Sequence, residues 1–528
     1  MRVSDFYHRN KSELAANADA IAQNLTHLTR APDADGSAPS PDDLVAAARR
    51  ICEQHDDTFG GFGAAPKFPT PHTLNLLLGL RGAAAIEADR ALATRIDAVL
   101  TITLGAMARG GLFDQVGGGF HRYCVDRDWT VPHFEKMLYD NAQLLGTYAE
   151  AWARYRDPLY ADVCTETVGW LLREMRTANA LFAASLDADT DHHEGTTYVW
   201  TAPEVAAALG DEAFAFAQAY GLSDKGNFEG KNIPKLKGDH VARQRFATAR
   251  AKLLAIRDQR PQPARDDKNL LSWNALLVGN LAKAGWILGR KEWVELAIET
   301  EANLWTRFAR EDGAKLLSVA HGDKTTLVGN LSDYAWLAEA ELALAAYAHW
   351  ARPGQAHPYA QRAEGLLSAS QTLFGDPHSI GSFVVSADRD DLSVRQKDWF
   401  DNAVPAGNSS LLHGFGQIQM LSTDTRWARE FADLSTAYGG LCKNVPNGVA
   451  HALDGIARFA IGHATVKASG RWDELRVALN GDERTAPQTR PYRPVFLISE
   501  PATTCFAVCV GQTCLAPVQT AQEAAASL

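Results

Sequence analysis

Residues 110–143 read GGLFDQVGGGFHRYCVDRDWTVPHFEKMLYDNAQ, and the rest of the chain is best interpreted from this stretch. Five glycines precede a dense group of ionisable side chains, and aromatic residues are interleaved throughout. Glycine permits tight turns and close approach of the backbone to a ligand, and ionisable groups beside aromatic rings indicate a partly desolvated pocket. From Pro132 onward the pattern is that of a helix with polar first turns and an apolar remainder. We therefore predict a helix that presents its N-terminal end to a cavity.

Two later runs share this pattern, and the intervening helices are amphipathic. The runs begin at Lys268 (KNLLSWNALLVGNLAKA) and Gly329 (GNLSDYAWLAEAELALA), whereas 291–308 (KEWVELAIETEANLWTRF) keeps a charged face for water. Alternation of fully buried and amphipathic helices predicts an all-α toroid of paired inner and outer helices. The predicted helices are 4–30, 71–81, 86–109, 132–155, 158–177, 202–220, 239–258, 267–288, 291–308, 330–350, 356–373, 408–421 and 425–440, with one more starting at Ser40.

The β signals are short and lie between helices. Alternating β-branched and aromatic residues predict strands at 196–201 and 382–387, and a small terminal sheet from 494–499 and 505–510. We predict three segments, namely an N-terminal helix and linker (1–39), the helical toroid with short β insertions (40–465), and a C-terminal β-containing appendage packed on it (466–528).

Composition indicates a soluble globular protein with a small-molecule ligand. Hydrophobic residues make up 46% of the 528 residues and charged residues 22%, with a net charge of −11. The sequence has no run dense in Lys and Arg, so we predict neither nucleic-acid nor membrane binding, and a cytoplasmic location. The seven cysteines include no C-x-x-C pair, and we expect reduced thiols.

The first candidate site is the opening stretch. On a helix beginning at Pro132, His133, Lys136 and Asp140 would share one face. His121, on the glycine-rich segment, would face His133 across a cavity, which gives two bases on opposite sides of a carbon for proton abstraction and return. The predicted catalytic residues are His121, His133, Asp114, Arg122, Lys136 and Asp140.

A structural interpretation of the same stretch stays open. In it, Asp114, Arg122 and Arg127 form a buried salt-bridge network under a loop, and the histidines donate to backbone carbonyls. The two interpretations differ in whether these groups face a cavity.

A second acidic stretch, 185–201 (SLDADTDHHEGTTYVWT), supplies candidate binding residues. It lacks the glycine at loop position six and the glutamate at position twelve that an EF-hand requires, so no metal is predicted. Carboxylates beside aromatic faces suit a sugar-like polyol. Three further runs, 226–234, 266–274 and 405–410, place small or amide side chains where helices begin. The predicted substrate-binding residues are Glu135, Asn141, Asp187, Asp189, Tyr198, Trp200, Asn227, Asp267, Trp273 and Asp333.

Several long motifs resemble those of the spermatogenesis-associated protein 20 family of thioredoxin-domain proteins. They are GGFGAAPKFPTP, the 110–143 stretch, SLDADT with EGTTYVW, GNFEGKNIP and DDKNLLSWNALL, in the family's order. The resemblance implies an (α/α)6 barrel akin to the N-acylglucosamine 2-epimerase and cellobiose epimerase superfamily, preceded by a thioredoxin-like domain. No thioredoxin-sized region precedes residue 40, so this chain is expected to correspond to the family's helical portion.

Three functions remain in competition. The first is a cofactor-independent sugar epimerase or isomerase, in which His121 and His133 exchange a proton while Arg122 and Lys136 stabilise an enediolate. The second is an inverting glycoside hydrolase with two of Asp114, Glu135, Asp187, Asp189 and Asp333 as acid and base. The third is a barrel without catalysis that binds a glycan or a protein and works beside a thioredoxin-like partner.

Overall fold

The computed structural model describes residues 2–28, 36–353, 357–389, 392, 394–480, 495–500, 503–511 and 513–528. The helices in chain order are α1 (Arg2–Arg9), α2 (Lys11–Leu28), α3 (Pro41–Glu53), α4 (Pro71–Leu80), α5 (Ala84–Ala88), α6 (Arg90–Arg109), α7 (Leu138–Tyr155), α8 (Pro158–Trp170), α9 (Ala202–Leu209), α10 (Ala213–Tyr220), α11 (His240–Arg245), α12 (Ala247–Arg257), α13 (Leu271–Leu288), α14 (Lys291–Phe308), α15 (Leu331–Ala351), α16 (Tyr359–Phe374), α17 (Gly407–Ile418), α18 (Arg426–Ala437), α19 (Gly439–Asn444), α20 (Ala450–Ile461), α21 (Trp472–Asn480) and α22 (Ala521–Ala526).

The strands are short and form small separate sheets. They are β1 (Tyr123–Cys124), β2 (Pro132–His133), β3 (Lys136–Met137), β4 (Ser185–Leu186), β5 (Asp189–Thr190), β6 (His193–Glu194), β7 (Arg265–Asp266), β8 (Asn269–Leu270), β9 (Ala309–Arg310), β10 (Lys315–His321), β11 (Lys324–Val328), β12 (Ala464–Ala468), β13 (Val495–Ser499), β14 (Ala507–Val510) and β15 (Thr513–Cys514).

Within the described residues, six helices form a closed ring of contacts. α4 packs on α7, α7 on α13, α13 on α15, α15 on α17, α17 on α20, and α20 returns to α4. Second helices pack against members of this ring, with α8 on α7, α14 on α13, α16 on α15 and α18 on α17. The ring helices are buried along most of their length, and in α7 every residue from Leu138 to Trp152 is buried. The prediction of a helix-rich chain is confirmed.

Among the described residues, one helix is long and apolar enough to cross a bilayer, namely α6. Of its most apolar window, 56% is buried inside the protein, against α3, α4, α5 and α8. That burial is typical of a core helix.

The prediction of a helix over 132–155 is wrong in its first turns. Residues Pro132–His133 and Lys136–Met137 are β2 and β3, and α7 begins only at Leu138. β3 pairs with β4, and the amide of Leu138 donates to the carbonyl of Ala184. Because these lateral hydrogen bonds replace the first helical turns, His133, Lys136 and Asp140 do not share a helix face.

Other predicted helices differ at their ends and interiors. The predicted helix 4–30 is broken near Asn10 into α1 and α2, and its last two residues lie outside the described residues. Gly210 divides 202–220, and strand β8 takes up Asn269 and Leu270 at the start of 267–288. The ring helix α20 is missing from the prediction; Pro446 and Gly448 lie just before its first residue, and Gly455 lies within its apolar run.

The terminal sheet is confirmed and is larger than predicted. Its order is β13-β12-β14-β15, with β12 parallel to β13 and antiparallel to β14. Residue 494 of the predicted strand lies outside the described residues. The predicted strands at 196–201 and 382–387 contribute only isolated bridges, at Trp200 and at Ser382 and Phe383. The hairpin β10–β11, which pairs with β8, was not predicted.

The expectation that all cysteines are reduced is wrong for one pair. The β14–β15 pairing places Cys509 opposite Cys514, and the two form a disulfide. The free cysteines of the described chain are Cys52, Cys124, Cys164, Cys442 and Cys505.

Position 119 in the glycine-rich loop requires a glycine because of its backbone conformation and because of the ring packed against it. It has a φ of +79°, and an added Cβ would lie 2.6 Å from the ring of Trp170. We expect Gly119→Ala to lower the free energy of unfolding by about 2–4 kcal/mol through steric overlap and backbone strain. The matched control is Gly169→Ala in α8, where no atom lies within 4 Å and a gain of up to about 1 kcal/mol is expected. Urea unfolding compares the two, and equal effects would contradict the packing of this loop.

Two buried carboxyl groups meet between α14, α15 and α16. Glu301 pairs with Arg362 at 2.5 Å, whereas the buried Glu341 lies beside Glu301 and has no cation of its own among the described residues. Burial and the charge of Glu301 raise the pKa of Glu341 well above its usual range. A raised pKa in the folded state contributes stability at low pH that is lost as the pH rises above the ordinary glutamate value.

We therefore expect Glu341→Gln to be more stable than the parent protein at neutral pH, by about 1–3 kcal/mol. The advantage should shrink below the ordinary glutamate pKa, because Glu341 is then protonated in both states. Urea unfolding at several pH values measures this difference. A difference that does not vary with pH would show that Glu341 is ionised in the folded protein.

Candidate functional site in the helical ring

The six ring helices surround a cavity of about 140 Å3, here called the lumen. Its polar lining residues are His72, Asn75, Gln143, Glu150, Asn280, Lys283, Trp336, Glu339, His413, Gln417, His451, Asp454 and Arg458. Tyr347, near the end of α15, and Phe496 of the terminal sheet also line it. Along α15 its lining extends from Trp336 to Tyr347, a length of about 16 Å at 1.5 Å per residue.

Three neutral imidazoles lie on one side of the lumen. His413 and His451 stack with their ring centroids 4.1 Å apart, and His72 meets His451 edge to face at 5.9 Å. Burial lowers the pKa of His72 to about 4 and the pKa values of His413 and His451 to about 3. Each ring is therefore uncharged at neutral pH and carries one nitrogen with a free lone pair.

The hydrogen bonds of two rings identify that nitrogen. Nε2 of His413 lies 2.7 Å from the carbonyl of His451 and must donate to it, which leaves the lone pair on Nδ1. His72 has its hydrogen bond with the backbone of Asn402, and its Nε2 has no partner. The backbone of Asn402 raises the pKa of His72, as an accepting carbonyl does, and this effect together with the unpartnered Nε2 favours a proton on Nδ1 and a lone pair on Nε2.

The group Glu339, His413 and His451 places possible metal-ligand atoms within 4.8 Å of one another. The lone pairs of an imidazole lie in its ring plane, and the two stacked rings are only 15° from parallel. Two such planes do not meet about 2.0–2.1 Å from both nitrogens, the distance at which histidine binds zinc. This arrangement does not suit a metal ion.

His451 is not part of a serine-type catalytic triad. Nε2 of His451 lies 3.4 Å from both Ser410 Oγ and Glu339 Oε1. A triad needs the hydroxyl and the carboxylate on opposite ring nitrogens. Burial raises the pKa of Glu339, so this carboxyl is a candidate proton donor.

A buried ionic network lies farther along the lumen. Glu150 bonds to Lys283 and to Arg458, each at 2.8 Å, and Arg458 Nε bonds to both oxygens of Asp454 at 2.8 Å. Burial alone would raise the pKa of Glu150, but Arg458 and Lys283 hold it at about 2. Burial raises the pKa of Asp454 to about 6 despite Arg458. The four groups neutralise one another.

Three lining residues carry buried polar atoms without a hydrogen-bond partner. These atoms are Nε2 of His72, Oε1 of Gln143 and Nε1 of Trp336. Buried polar groups are nearly always satisfied by protein, water or ligand, because an unpaired group costs about 1–3 kcal/mol. These atoms can be satisfied by water or by a polar ligand in the lumen.

The predicted site residues lie elsewhere, and in the described chain none of them lines the lumen. Asp114 is buried and bonds to Lys136 at 2.8 Å and to Arg257 at 2.7 Å. His121 is buried with a ring nitrogen 2.9 Å from the carbonyl of Phe134. These contacts match the structural interpretation of the stretch, with Lys136 and Arg257 as the cations in place of Arg122 and Arg127.

The remaining predicted catalytic residues do not converge either. His133 bonds to Glu194 at 2.7 Å near the surface, and Arg122 bonds to Glu135 at 2.9 Å. Asp140 is buried with one oxygen unpartnered, and burial raises its pKa well above the usual range. One ring nitrogen of His121 lies 2.9 Å from the carbonyl of Phe134, and His133 contacts Glu194, so the two histidines have separate partners.

The predicted binding residues are distributed among loops and helix starts. Asn141 bonds to the backbone of Phe120, Asn227 to that of Ile233, and Asp333 accepts from the amides of Asn330 and Ser272. Of the predicted aromatic residues, Tyr198 is buried beside Lys136 and Arg257, Trp200 stacks on Arg260, and Trp273 packs on Tyr139. Of the predicted acidic residues, Asp267 pairs with Arg265, and Asp187 and Asp189 are exposed.

The ring and its lumen define a helical protein with a central cavity into which polar and ionisable side chains project. No protein-family profile matches the chain. Over 497 residues, 84% of its length, the chain is 30% identical to spermatogenesis-associated protein 20 of mouse and 28% identical to the human protein. It is also 30% identical over 399 residues to an uncharacterised protein of Caenorhabditis elegans. This match covers 67% of this chain and 53% of the worm protein.

The predicted resemblance is thus confirmed, and the chain is a homologue of spermatogenesis-associated protein 20. It spans 62% of the length of the mouse and human proteins. Solved structures with weak similarity include a sugar epimerase from a ruminal bacterium (TM-score 0.48, 9% identity, covering 75% of this chain and 86% of that one). A D-mannose isomerase has a TM-score of 0.46 at 10% identity, covering 76% and 86% of the two chains. A family 76 mannosidase from Bacteroides thetaiotaomicron has a TM-score of 0.46 at 9% identity, and the match covers 80% of this chain and 97% of that one.

Proposed function

We propose that this chain is an (α/α)6 barrel whose lumen binds a neutral sugar and isomerises it between aldose and ketose. The observation that carries the proposal is the neutral imidazole of His72, whose Nε2 has no partner among the described residues and which lines the central cavity. A buried neutral imidazole with a free lone pair is suited to act as a general base.

The proposed reaction uses one base and one acid. His72 Nε2 takes the proton from the carbon next to the carbonyl, and the electron pair of that C–H bond forms the double bond of an enediol. The carbonyl oxygen takes a proton from the carboxyl of Glu339, whose pKa is raised by burial. The imidazolium then returns its proton to the former carbonyl carbon, while the neighbouring hydroxyl loses its proton to Glu339 and becomes the new carbonyl. Both groups return to their starting states.

The position of the imidazoles favours isomerisation over epimerisation by two bases. Epimerisation at one carbon by two bases requires them on opposite faces of the substrate. His72, His413 and His451 come from α4, α17 and α20, which are consecutive in the ring, and their rings are in mutual contact. One wall of bases instead suits proton transfer between adjacent carbons on the same face.

The test is incubation of the protein with a panel of unphosphorylated aldoses and ketoses in D2O, followed by proton and carbon NMR. We expect interconversion of one aldose–ketose pair, with deuterium at the transferred position to the extent that the base exchanges with solvent. Neither interconversion nor deuterium incorporation across a broad panel would refute the proposal.

A binding barrel without catalysis is the second candidate. The mutual neutralisation of Glu150, Lys283, Asp454 and Arg458 favours it, because these groups are already satisfied without a reacting ligand. In this alternative the lumen holds a glycan and the chain works beside a thioredoxin-like protein. Sugars would then raise the melting temperature of the protein with no chemical change in the sugar.

The inverting-hydrolase alternative has less support. Among its candidate carboxylates, Asp114 is neutralised by Lys136 and Arg257, and Asp333 accepts from backbone amides at the start of α15. Neither lines the lumen.

A further inference from the structure

We infer that the loop of residues 401–403 sets the hydrogen-bonding polarity of the lumen, so that the lumen selects ligands that donate from hydroxyl groups. The identity of the ligand as a sugar rests on the proposed function, but the role of the loop does not. The loop lies between α16 and α17 and contacts residues of three ring helices, α4, α7 and α20.

Neutral histidine and glutamine are ambiguous groups. Either imidazole nitrogen can carry the proton, and either end of the amide can face a ligand. A lumen lined by His72 and Gln143 therefore has no fixed pattern of donors and acceptors unless other groups determine it.

Two consecutive backbone carbonyls of the loop determine it. The backbone of Asn402 acts on the ring of His72 as an acceptor and raises its pKa, and Nε2 of this ring has no hydrogen-bond partner among the described residues, so the proton is assigned to Nδ1. The carbonyl of Ala403 accepts from Nε2 of Gln143 at 2.9 Å, and the carbonyl of Tyr139 accepts from the same amide at 3.1 Å. Oε1 of Gln143 is consequently the amide atom without a partner. Both side chains thus offer acceptors.

Asp401 fixes the position of these carbonyls. One carboxylate oxygen accepts from the amide of Ala406 at 3.0 Å, and the other accepts from the amide of His451 at 2.8 Å. Its own amide donates to the carbonyl of Gly448 at 2.8 Å. The loop is therefore joined to the first turns of α17 and α20, where a carboxylate also satisfies free helical amides. Asp401 is a positioning residue.

The resulting pattern selects the ligand. The acceptors of His72 and Gln143 are complemented by one donor from α15, Nε1 of Trp336. A hydroxyl group donates and accepts at once, whereas a carboxylate or phosphate only accepts and would face two bare lone pairs. The two cations of the lining, Lys283 and Arg458, are already paired with Glu150 and Asp454, so the lumen favours a neutral polyol over an anion.

The test measures the tautomer of His72 without any sugar present. Protein labelled with 15N-histidine is studied by long-range 1H–15N correlation, with His72 assigned from its absence in His72→Gln. We expect one tautomer with the proton on Nδ1. In Asp401→Ala we expect a mixture of tautomers and an approximately tenfold weaker affinity for an alditol, about the loss of one hydrogen bond. Asp224→Ala, on an exposed loop, is the matched control and should change neither the tautomer of His72 nor the affinity for the alditol.

Two results would overturn the inference. One is a wild-type His72 with its proton on Nε2, a measurement that needs no variant. The other is a folded Asp401→Ala protein with an unchanged tautomer and unchanged alditol affinity. If Asp401→Ala does not fold, Asp401→Asn, which keeps one acceptor oxygen, takes its place. A correct tautomer in a protein that converts no sugar would remove the proposed isomerase function and leave the role of the loop intact.

Discussion

Replacing His72 by glutamine is expected to lower the rate of sugar isomerisation by about 10²–10⁴-fold, the usual contribution of a general base. Glutamine has a similar length and polarity but no nitrogen lone pair that accepts a proton near neutral pH. The effect should fall on kcat, because the introduced amide can still hydrogen-bond a hydroxyl of the bound sugar. The measurement is the initial rate of ketose formation by NMR or a coupled assay.

The histidines of the chain provide the comparison that separates the two candidate sites. His321→Gln, at an exposed position of β10, is the matched control and should leave the rate unchanged. His133→Gln changes a residue of the sequence-predicted site that lies near the surface beside Glu194. A loss of activity in His133→Gln with full activity in His72→Gln would place the chemistry at the glycine-rich stretch and remove it from the lumen.

Removing Arg458 is expected to cause the largest loss of stability. In Arg458→Leu, Asp454 loses both hydrogen bonds of its cation and Glu150 keeps only Lys283. Breaking a buried ion pair by removing one partner costs about 3–5 kcal/mol, since the remaining charge is buried and uncompensated. Urea unfolding at neutral pH measures this loss, and Arg429→Leu, whose side chain is 71% exposed, should change stability by less than about 1 kcal/mol.

The pH dependence of this loss has a definite sign. The pKa of Asp454 is already about 6 in the parent protein because of burial, and it rises further without Arg458. A carboxyl with a raised pKa contributes stability at low pH that disappears as the pH rises through that value. Arg458→Leu should therefore be less destabilising at pH 5 than at pH 8, and adding Asp454→Asn should restore part of the loss at pH 8. An equal loss at both pH values would contradict the assigned ion network.

The helical architecture could be predicted because it depends on patterns spread over many residues. Buried inner helices and amphipathic outer helices differ in composition over four or five turns, so α7, α13 and α15 are evident from the sequence. The residue at which α7 begins could not be predicted, because the hydrogen bonds of β3 and of Leu138 are made with residues about 50 positions away in the sequence. Propensity near Pro132 carries no information on such pairing.

The candidate site could be predicted only in part for a similar reason. Gln143, Lys283 and Glu339 are polar residues inside apolar helices, a signal that the sequence contains. The density of charge in 110–143 is a stronger signal, but it reflects a buried network around Asp114 that stabilises a loop. The acceptors that orient His72 and Gln143 are backbone carbonyls, which no residue type identifies.

The most direct test of the proposed sugar site is a crystal structure with a bound alditol, an unreactive polyol analogue of the proposed substrate. We predict the alditol in the lumen, with hydroxyl groups within hydrogen-bond distance of Nε2 of His72, Oε1 of Gln143 and Nε1 of Trp336. Ordered alditol at the glycine-rich stretch beside His121 and His133, with the lumen filled only by water at saturating concentration, would contradict the assignment.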